Sequence, residues 1–287
     1  MNTLFGLGRQ NIGNKLINFA GASPDTFKAT LLTMSTQAGK IFLVTSASNA
    51  SPIVLGVSST TGIAPGDIVV VGGVGGNLAA NGTWQVGTVV ANTSISLLTR
   101  LDGNNSTGSA AYTSGGWIID LSSGAVLTDV SANSSGTDAT LSGVTNTLGV
   151  INAGSSTWTN PPATKVWGVA IYDNTASNDL IAWYDGNYQV YVITTAAPGA
   201  TSLAVARLGA TIPSGAVLNF SDGTTATTNA QAAVGATSLS VNSTAATIHA
   251  QATADVATLS SGLPVTPTGN NNFTFVPDTG ANKLFVI

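Results

Sequence analysis

A chain of 287 residues accommodates one to three domains, and with 43% apolar residues each can bury a packed core. Only 7% of the residues are charged, against about 25% in ordinary soluble proteins, the net charge is −4, and all twelve acids are Asp. The eight basic residues (Arg9, Lys15, Lys28, Lys40, Arg100, Lys165, Arg207, Lys283) are scattered, so no phosphate-neutralising surface is expected and nucleic acid is an unexpected partner.

Cysteine is absent, which removes disulfide and thiol chemistry and leaves the redox compartment open. No apolar run approaches the roughly 18 residues of a membrane span; the longest, 68–74, is broken by Gly72 and Gly73, so no membrane span is expected. Residues 1–20 carry Arg9 and Lys15 but no continuous apolar block, unlike a secretory signal. The unbranched residues that clothe helices are scarce, and Thr, Ser, Val, Ala, Gly and Asn take their place. That vocabulary predicts an all-β fold. So sparse a surface charge protects a lone monomer poorly against self-association, and burial in an assembly is one remedy.

In chain order, residues 1–21 place Leu4, Phe5, Leu7, Ile12, Leu16, Ile17 and Phe19 at spacings partly compatible with a short helix, which Gly6, Gly8 and Gly13 weaken. This segment is expected to be an extended N-terminal arm that orders on a neighbour. Residues 42–117 hold short strand candidates at 53–57, 68–71, 83–90 and 94–98. Pro65-Gly66-Asp67, Gly72-Gly73, Asn81-Gly82 and Asn92 divide them. Asn81-Gly82 predicts a tight type I′ hairpin, because both residues tolerate positive φ. The stretch is expected to be a small barrel or sandwich, inserted as a barrel-like module.

Gly199-Ala200-Thr201-Ser202-Leu203-Ala204-Val205 recurs as Gly235-Ala236-Thr237-Ser238-Leu239-Ser240-Val241, 36 residues on, and Thr211-Ile212 recurs as Thr247-Ile248. Leu and Val alternate with small polar residues in both copies, the period of a strand with one buried face. Between them, 217–220, Asp222-Gly223 and 224–228 predict a hairpin. Residues 193–257 are therefore expected to form a tandem-repeat β module. The remaining pieces, 22–41 with 118–192 and 258–287, are expected to form one discontinuous β-sandwich base domain with the two modules inserted in its loops, where insertion costs little.

Three resemblances add to this. Ser51-Pro52-Ile53-Val54, the run 66–77 (Gly66-Asp67-Ile68 to Gly75-Gly76-Asn77), Ala79-Ala80-Asn81-Gly82-Thr83-Trp84 and Ala111-Tyr112-Thr113-Ser114-Gly115-Gly116 resemble a small β module that recurs in bacteriophage structural proteins. The repeat is similar to segments of phage capsid-decoration and fibre-like proteins. Residues 25–32, Asp129-Val130-Ser131-Ala132-Asn133, 166–173 and Asp179-Leu180-Ile181-Ala182-Trp183 resemble a family of phage virion β-sandwich proteins. In that family the last strands follow soon after the equivalent of Leu180-Ile181-Ala182-Trp183, whereas here the repeat intervenes, as an inserted domain would.

The chemistry-bearing residues are few. His249 is the one histidine and stands where the first repeat has Pro213, a turn or surface position without the nucleophile and acid of a hydrolase triad. Without cysteine, one histidine and scattered aspartates make a poor zinc set, and no calcium loop motif is present. Asp173, Asp179 and Asp185 beside Tyr172, Trp183, Tyr184 and Tyr188 could grip and cut a sugar. Asp173-Asn174, Asn178-Asp179 and Asp185-Gly186 are equally turn dipeptides. No catalytic, cofactor or metal site is assigned from the sequence.

The resemblances imply a non-enzymatic structural protein of a tailed-bacteriophage virion, assembled in the host cytoplasm. A capsid decoration or cement protein that binds the major capsid protein is favoured, as a homo-oligomer with the trimer preferred. A tail, neck or collar fibre touching a host-surface glycan through aromatics such as Trp158 or Tyr184 is the second expectation, with core packing the simpler role for both. A glycan depolymerase is the third.

Overall fold

A computed structural model describes residues 2–14, 16–19, 23–101, 110–147, 150–175, 177–184, 189–205, 208, 212, 214–220, 224–233, 236–250, 252–256, 273–275 and 283–286. Strand β1 (Asn2–Leu4), helix α1 (Gly6–Gly13) and β2 (Phe27–Leu32) come first. Six strands follow: β3 (Ile41–Ala47), β4 (Ile53–Val57), β5 (Ile68–Gly72), β6 (Gly82–Val90), β7 (Ser94–Arg100) and β8 (Trp117–Asp120). Next are β9 (Ala139–Thr140), β10 (Thr145–Thr147), β11 (Val150–Asn152), β12 (Ser156–Trp158), β13 (Gly168–Asp173) and β14 (Asp179–Tyr184). The chain ends with β15 (Gln189–Tyr191), β16 (Ser202–Ala204), β17 (Val217–Phe220), β18 (Thr225–Thr227), β19 (Ser238–Ser240), β20 (Thr253–Val256), β21 (Phe273–Phe275) and β22 (Lys283–Val286). The fold is all-β.

Two compact units divide the chain: residues 1–41, 121–186 and 260–287 in one, 42–120 and 187–259 in the other. In the first, a five-stranded antiparallel sheet runs β1-β14-β13-β2-β9, accompanied by the smaller sheets β10-β11-β22 and β12-β21. Its core gathers Phe27, Leu31, Val169, Ile171, Ile181, Tyr184, Trp158 and Phe275. Asp129 and Asn133, on two short 3-10 turns (Leu127–Asp129 and Ser131–Asn133), tie down loops of this unit. The Asp129 carboxylate accepts the N–H of Ala125 at 2.8 Å, and buried Asn133 donates to the Thr36 carbonyl and accepts its N–H, both at 2.8 Å.

Residues 2–14, expected to be an arm awaiting a neighbour, pair within this unit instead. β1 lies antiparallel to β14 with Thr3 opposite Trp183, and Phe5 is fully buried. The glycines that weaken α1 as an isolated helix are what let it lie on the sheet. A Cβ on Gly8 would sit 2.7 Å from the Ile181 Cα, and one on Gly6 would sit 2.4 Å from the Ser122 carbonyl oxygen. Tertiary packing thus overrides propensity.

In the second unit, residues 42–120 contain a closed barrel in the order β3-β4-β7-β6-β5-β8, filled by Phe42, Ile53, Leu55, Val69, Trp84, Ile95, Leu97 and Ile118. The boundary expected at 117/118 falls later, because β8 pairs with β5 through Asp120 opposite Val69. Pro65-Gly66 forms the anticipated turn: Gly66 has φ +94°, and the Asp67 N–H donates to the Ala64 carbonyl at 3.2 Å.

Asn81-Gly82 is not the hairpin predicted. Gly82 opens β6, and the connection from β5 is a longer loop that the buried Asn81 amide braces, accepting the Val74 N–H at 2.9 Å and donating to its carbonyl at 3.0 Å. Arg100 completes the brace. Its guanidinium donates to the carbonyls of Ala79 and Asn81, both at 2.7 Å, and lies 5.2 Å from the Trp84 ring centroid. A polar side chain repeating the hydrogen bonds of a missing strand has no signature in local sequence.

In the repeat, β15-β20-β17-β18 form one sheet and β16-β19 another, over a core of Val190, Leu203, Val205, Ile212, Leu218, Leu239, Val241 and Ile248. β17 and β18 make the predicted hairpin with Val217 opposite Thr227; its Asp222-Gly223 tip lies outside the described residues.

Two outcomes follow from this packing. Gly8→Ala, which should favour an isolated helix, is expected to lower stability by about 1–3 kcal/mol through overpacking against β14, measured as a shift in the denaturation midpoint. Arg100→Ala removes the charge-assisted hydrogen bonds to the buried carbonyls of Ala79 and Asn81, so the exchange free energy of β5 and β6 amides should fall by about 3 kcal/mol in hydrogen-exchange measurements.

Candidate functional site

Of the carboxylates and aromatics that suggested sugar chemistry, Tyr172 and Asp173 lie on β13 and Asp179, Trp183 and Tyr184 on β14. Asp173 and Asp179 are register partners across that hairpin. Asp173 is 2% exposed and accepts the Thr175 N–H at 2.8 Å, while Thr175 Oγ1 accepts the N–H of Thr26 at 2.6 Å. Asp25, which accepts the Asn18 N–H at 2.6 Å, is close enough for its charge to act on Asp173. Burial first, then the neighbouring Asp25 charge, pushes Asp173 above the ordinary aspartate value, against the lowering effect of the Thr175 N–H. Asp179 accepts a hydrogen bond from Asn11 Nδ2 at 2.8 Å, which anchors α1.

The aromatics face inward. Trp183 is fully buried, and Tyr172, Tyr184 and Trp158 are 2–3% exposed. Trp158 packs on Phe273 with ring centroids 5.7 Å apart, and Tyr184 meets Phe275 edge-on at 5.2 Å. The Tyr172 hydroxyl donates to Asp138 at 2.7 Å; burial and then that hydrogen bond raise its pKa, and burial alone raises that of Tyr184. A sugar-stacking platform needs exposed ring faces, and these four rings supply core. Asp185 and Tyr188 lie outside the described residues. His249 is exposed in a turn whose carbonyl accepts the Ala252 N–H at 3.1 Å. Among the described residues, no group of three or more His, Asp or Glu is placed to hold a metal ion, and no helix is long and apolar enough to cross a membrane.

Two open concavities lie on the outer wall of the barrel. One, about 610 Å³, is lined by residues including Pro52, Val54, Pro65, Gly87, Ser96 and Leu98; the other, about 480 Å³, includes Ser46, Val54, Gly56 and Ser94. Both share Val54, and neither is lined by a charged residue. Glycine keeps their floors low, since a Cβ on Gly87 would come within 2.5 Å of Ser96 Oγ and one on Gly56 within 2.3 Å of Ser46 Oγ. Leu98 at 58% and Val54 at 39% stand exposed on this wall. Turn residues mark 53–57 and 94–98 as strands in the sequence, but barrel closure decides which outward side chains adjoin. Hydroxyls beside exposed apolar side chains on this wall suit contact with a neutral surface.

No protein-family model and no curated protein matches this chain.

The Asp173 environment fixes a pH dependence. A carboxyl whose folded pKa exceeds its unfolded value favours folding when protonated, so its contribution falls as pH rises from about 3.8 through the folded value. Asp173→Asn keeps an acceptor for the Thr175 N–H and removes the charge. Its melting temperature should exceed that of the parent at neutral pH, with the difference vanishing below 3.8 in a pH series of thermal melts.

Proposed function

We propose that this chain is a non-enzymatic structural protein of a tailed-bacteriophage particle, a decoration or cement protein that binds the outer shell as a homo-oligomer. One observation carries the reading: among the described residues, the acids and aromatics that suggested sugar chemistry (Asp173, Asp179, Tyr172, Trp183 and Tyr184) are engaged in its own fold, while the concavities of its barrel wall have no charged lining and expose Val54 and Leu98. Cohesion through apolar burial and backbone pairing needs no charged side chains, which fits a polypeptide with 7% of them. The resemblance of residues 51–116 and of the repeat to phage structural modules supports the same reading. Trp158 and Tyr184, being buried, give no support to glycan contact.

Copy number in purified particles tests the proposal. A decoration protein is expected in fixed ratio to the shell subunit by quantitative mass spectrometry, and Leu98→Asp with Val54→Asp should lower that ratio while the soluble chain keeps its parental melting temperature. A few copies per particle would assign it instead to a tail, neck or collar fibre. Its absence from particles, together with turnover of host polysaccharide, would overturn the reading.

A further inference from the structure

The two repeat copies are not neighbours of similar shape; each is completed by the other. At the offset of 36 residues, β15, β16 and β17 map residue for residue onto β18, β19 and β20. The pairings between copies are reciprocal under the same mapping. Ala196 bridges Ile248, and its counterpart Ala232 bridges Ile212. The Leu208 N–H donates to Ala236 at 2.9 Å and the Thr244 N–H to Ala200 at 3.0 Å; Val205 donates to Thr237 and Val241 to Thr201, both at 3.0 Å. Val192 donates to Ala252 and Thr228 to Ala216, both at 2.9 Å.

The larger sheet obeys the same rule. β15 of the first copy pairs with β20 of the second, Gln189 opposite Asp255, while β18 of the second pairs with β17 of the first, Thr225 opposite Asn219. Two positions lie on the resulting pseudo-twofold axis, where a residue faces its own counterpart: Leu203 opposite Leu239, and Asn219 opposite Asp255. Side chains follow the backbone. Ala196, Leu203, Val205, Ile212 and Ala216 share one core with their identical counterparts Ala232, Leu239, Val241, Ile248 and Ala252.

The geometry points to a fused, interlocked dimer: the module's true unit is a half of about 36 residues that folds only against a second copy of itself. Within a half, a bridge joins Val192 to Val205 in the first copy and Thr228 to Val241 in the second, while the six named strands pair only between copies; a half alone would leave its hydrophobic face and those strand edges open, and the isologous partner closes both. A chain holding one copy therefore recruits the copy of another chain. This holds whether or not the chain belongs to a virion.

The test removes residues 209–244 from the full chain, one whole period. This choice keeps Val192 and Leu208, so the buried hydroxyls of their counterparts Thr228 and Thr244 are not left to find partners. The shortened chain should show twice the oligomer number of the parent by native mass spectrometry, with β15, β16 and β20 amides as protected from exchange as in the parent. An unchanged oligomer number overturns the inference, whether those amides are exposed or protected.

A cysteine adds a second readout in a chain that has none. Ser202 Oγ and Ser238 Oγ are equivalent and 2.9 Å apart, so Ser202→Cys in the shortened chain should meet itself and form a disulfide-linked pair on oxidation. Ser131→Cys, exposed on the other unit, should not. Aggregation in which both cysteines cross-link equally also overturns the inference.

Discussion

Uncharged side chains bonded to the main chain hold this protein's connections in place. Asn81 stands in for a strand beside Val74, Asn133 closes the loop at Thr36, and Asn77 reaches the Ser48 carbonyl at 2.8 Å. Thr244 accepts the Ala200 N–H and donates to the Ala197 carbonyl, and Asn229 donates to Val241. A buried backbone group left unpaired costs about 1–3 kcal/mol, so each amide or hydroxyl that meets one or two such groups stabilises a loop that no ladder reaches. The aspartates serve the same end: Asp129 and Asp67 each accept backbone N–H groups at turns.

That constraint separates what was legible in the sequence from what was not. Alternation and turn chemistry are local, and they located β4, β5, β6 and β7 of the barrel, though not β3 and β8, together with the Pro65-Gly66 turn, the β17–β18 hairpin and the 36-residue period. Asn81-Gly82 misled because its composition suits a tight turn equally well, and only the distant Arg100 and Val74 reveal the longer loop. Gly6 and Gly8 misled in the opposite sense, since a glycine that weakens a helix alone is the residue a helix needs when it touches a sheet backbone. The reciprocity of the repeats was hidden as well. A period says that two units are alike, and says nothing of which strand pairs with which.

The candidate site follows the same logic. Asp173 and Asp179 lie six residues apart in sequence, and the hairpin does bring them opposite one another. What decides their chemistry is the neighbourhood: Asn11 from α1, Thr175 from the turn and Asp25 from the approach to β2. Asn11 and Asp25 are remote in sequence, and Asn11 and Thr175 engage the two carboxyls in hydrogen bonds within the fold. The neutral barrel wall was legible only as turn-bounded strands, because adjacency across β4, β7 and β6 is a property of closure.

An interlocked repeat also explains why so little charge suffices. In a tandem array of separate units, each interface must be specified against alternative registers, and charged edges are a common device for that. Here the register is fixed at several places at once: sliding β17 against β20 by one residue would move Leu218 to the wrong face and disturb the isolated bridges of Ile212 with Ala232 and of Ile248 with Ala196. Mutual closure supplies specificity through geometry. A polypeptide built this way can leave its surface neutral and still fold to one pairing, which leaves that surface available for contact with neighbours.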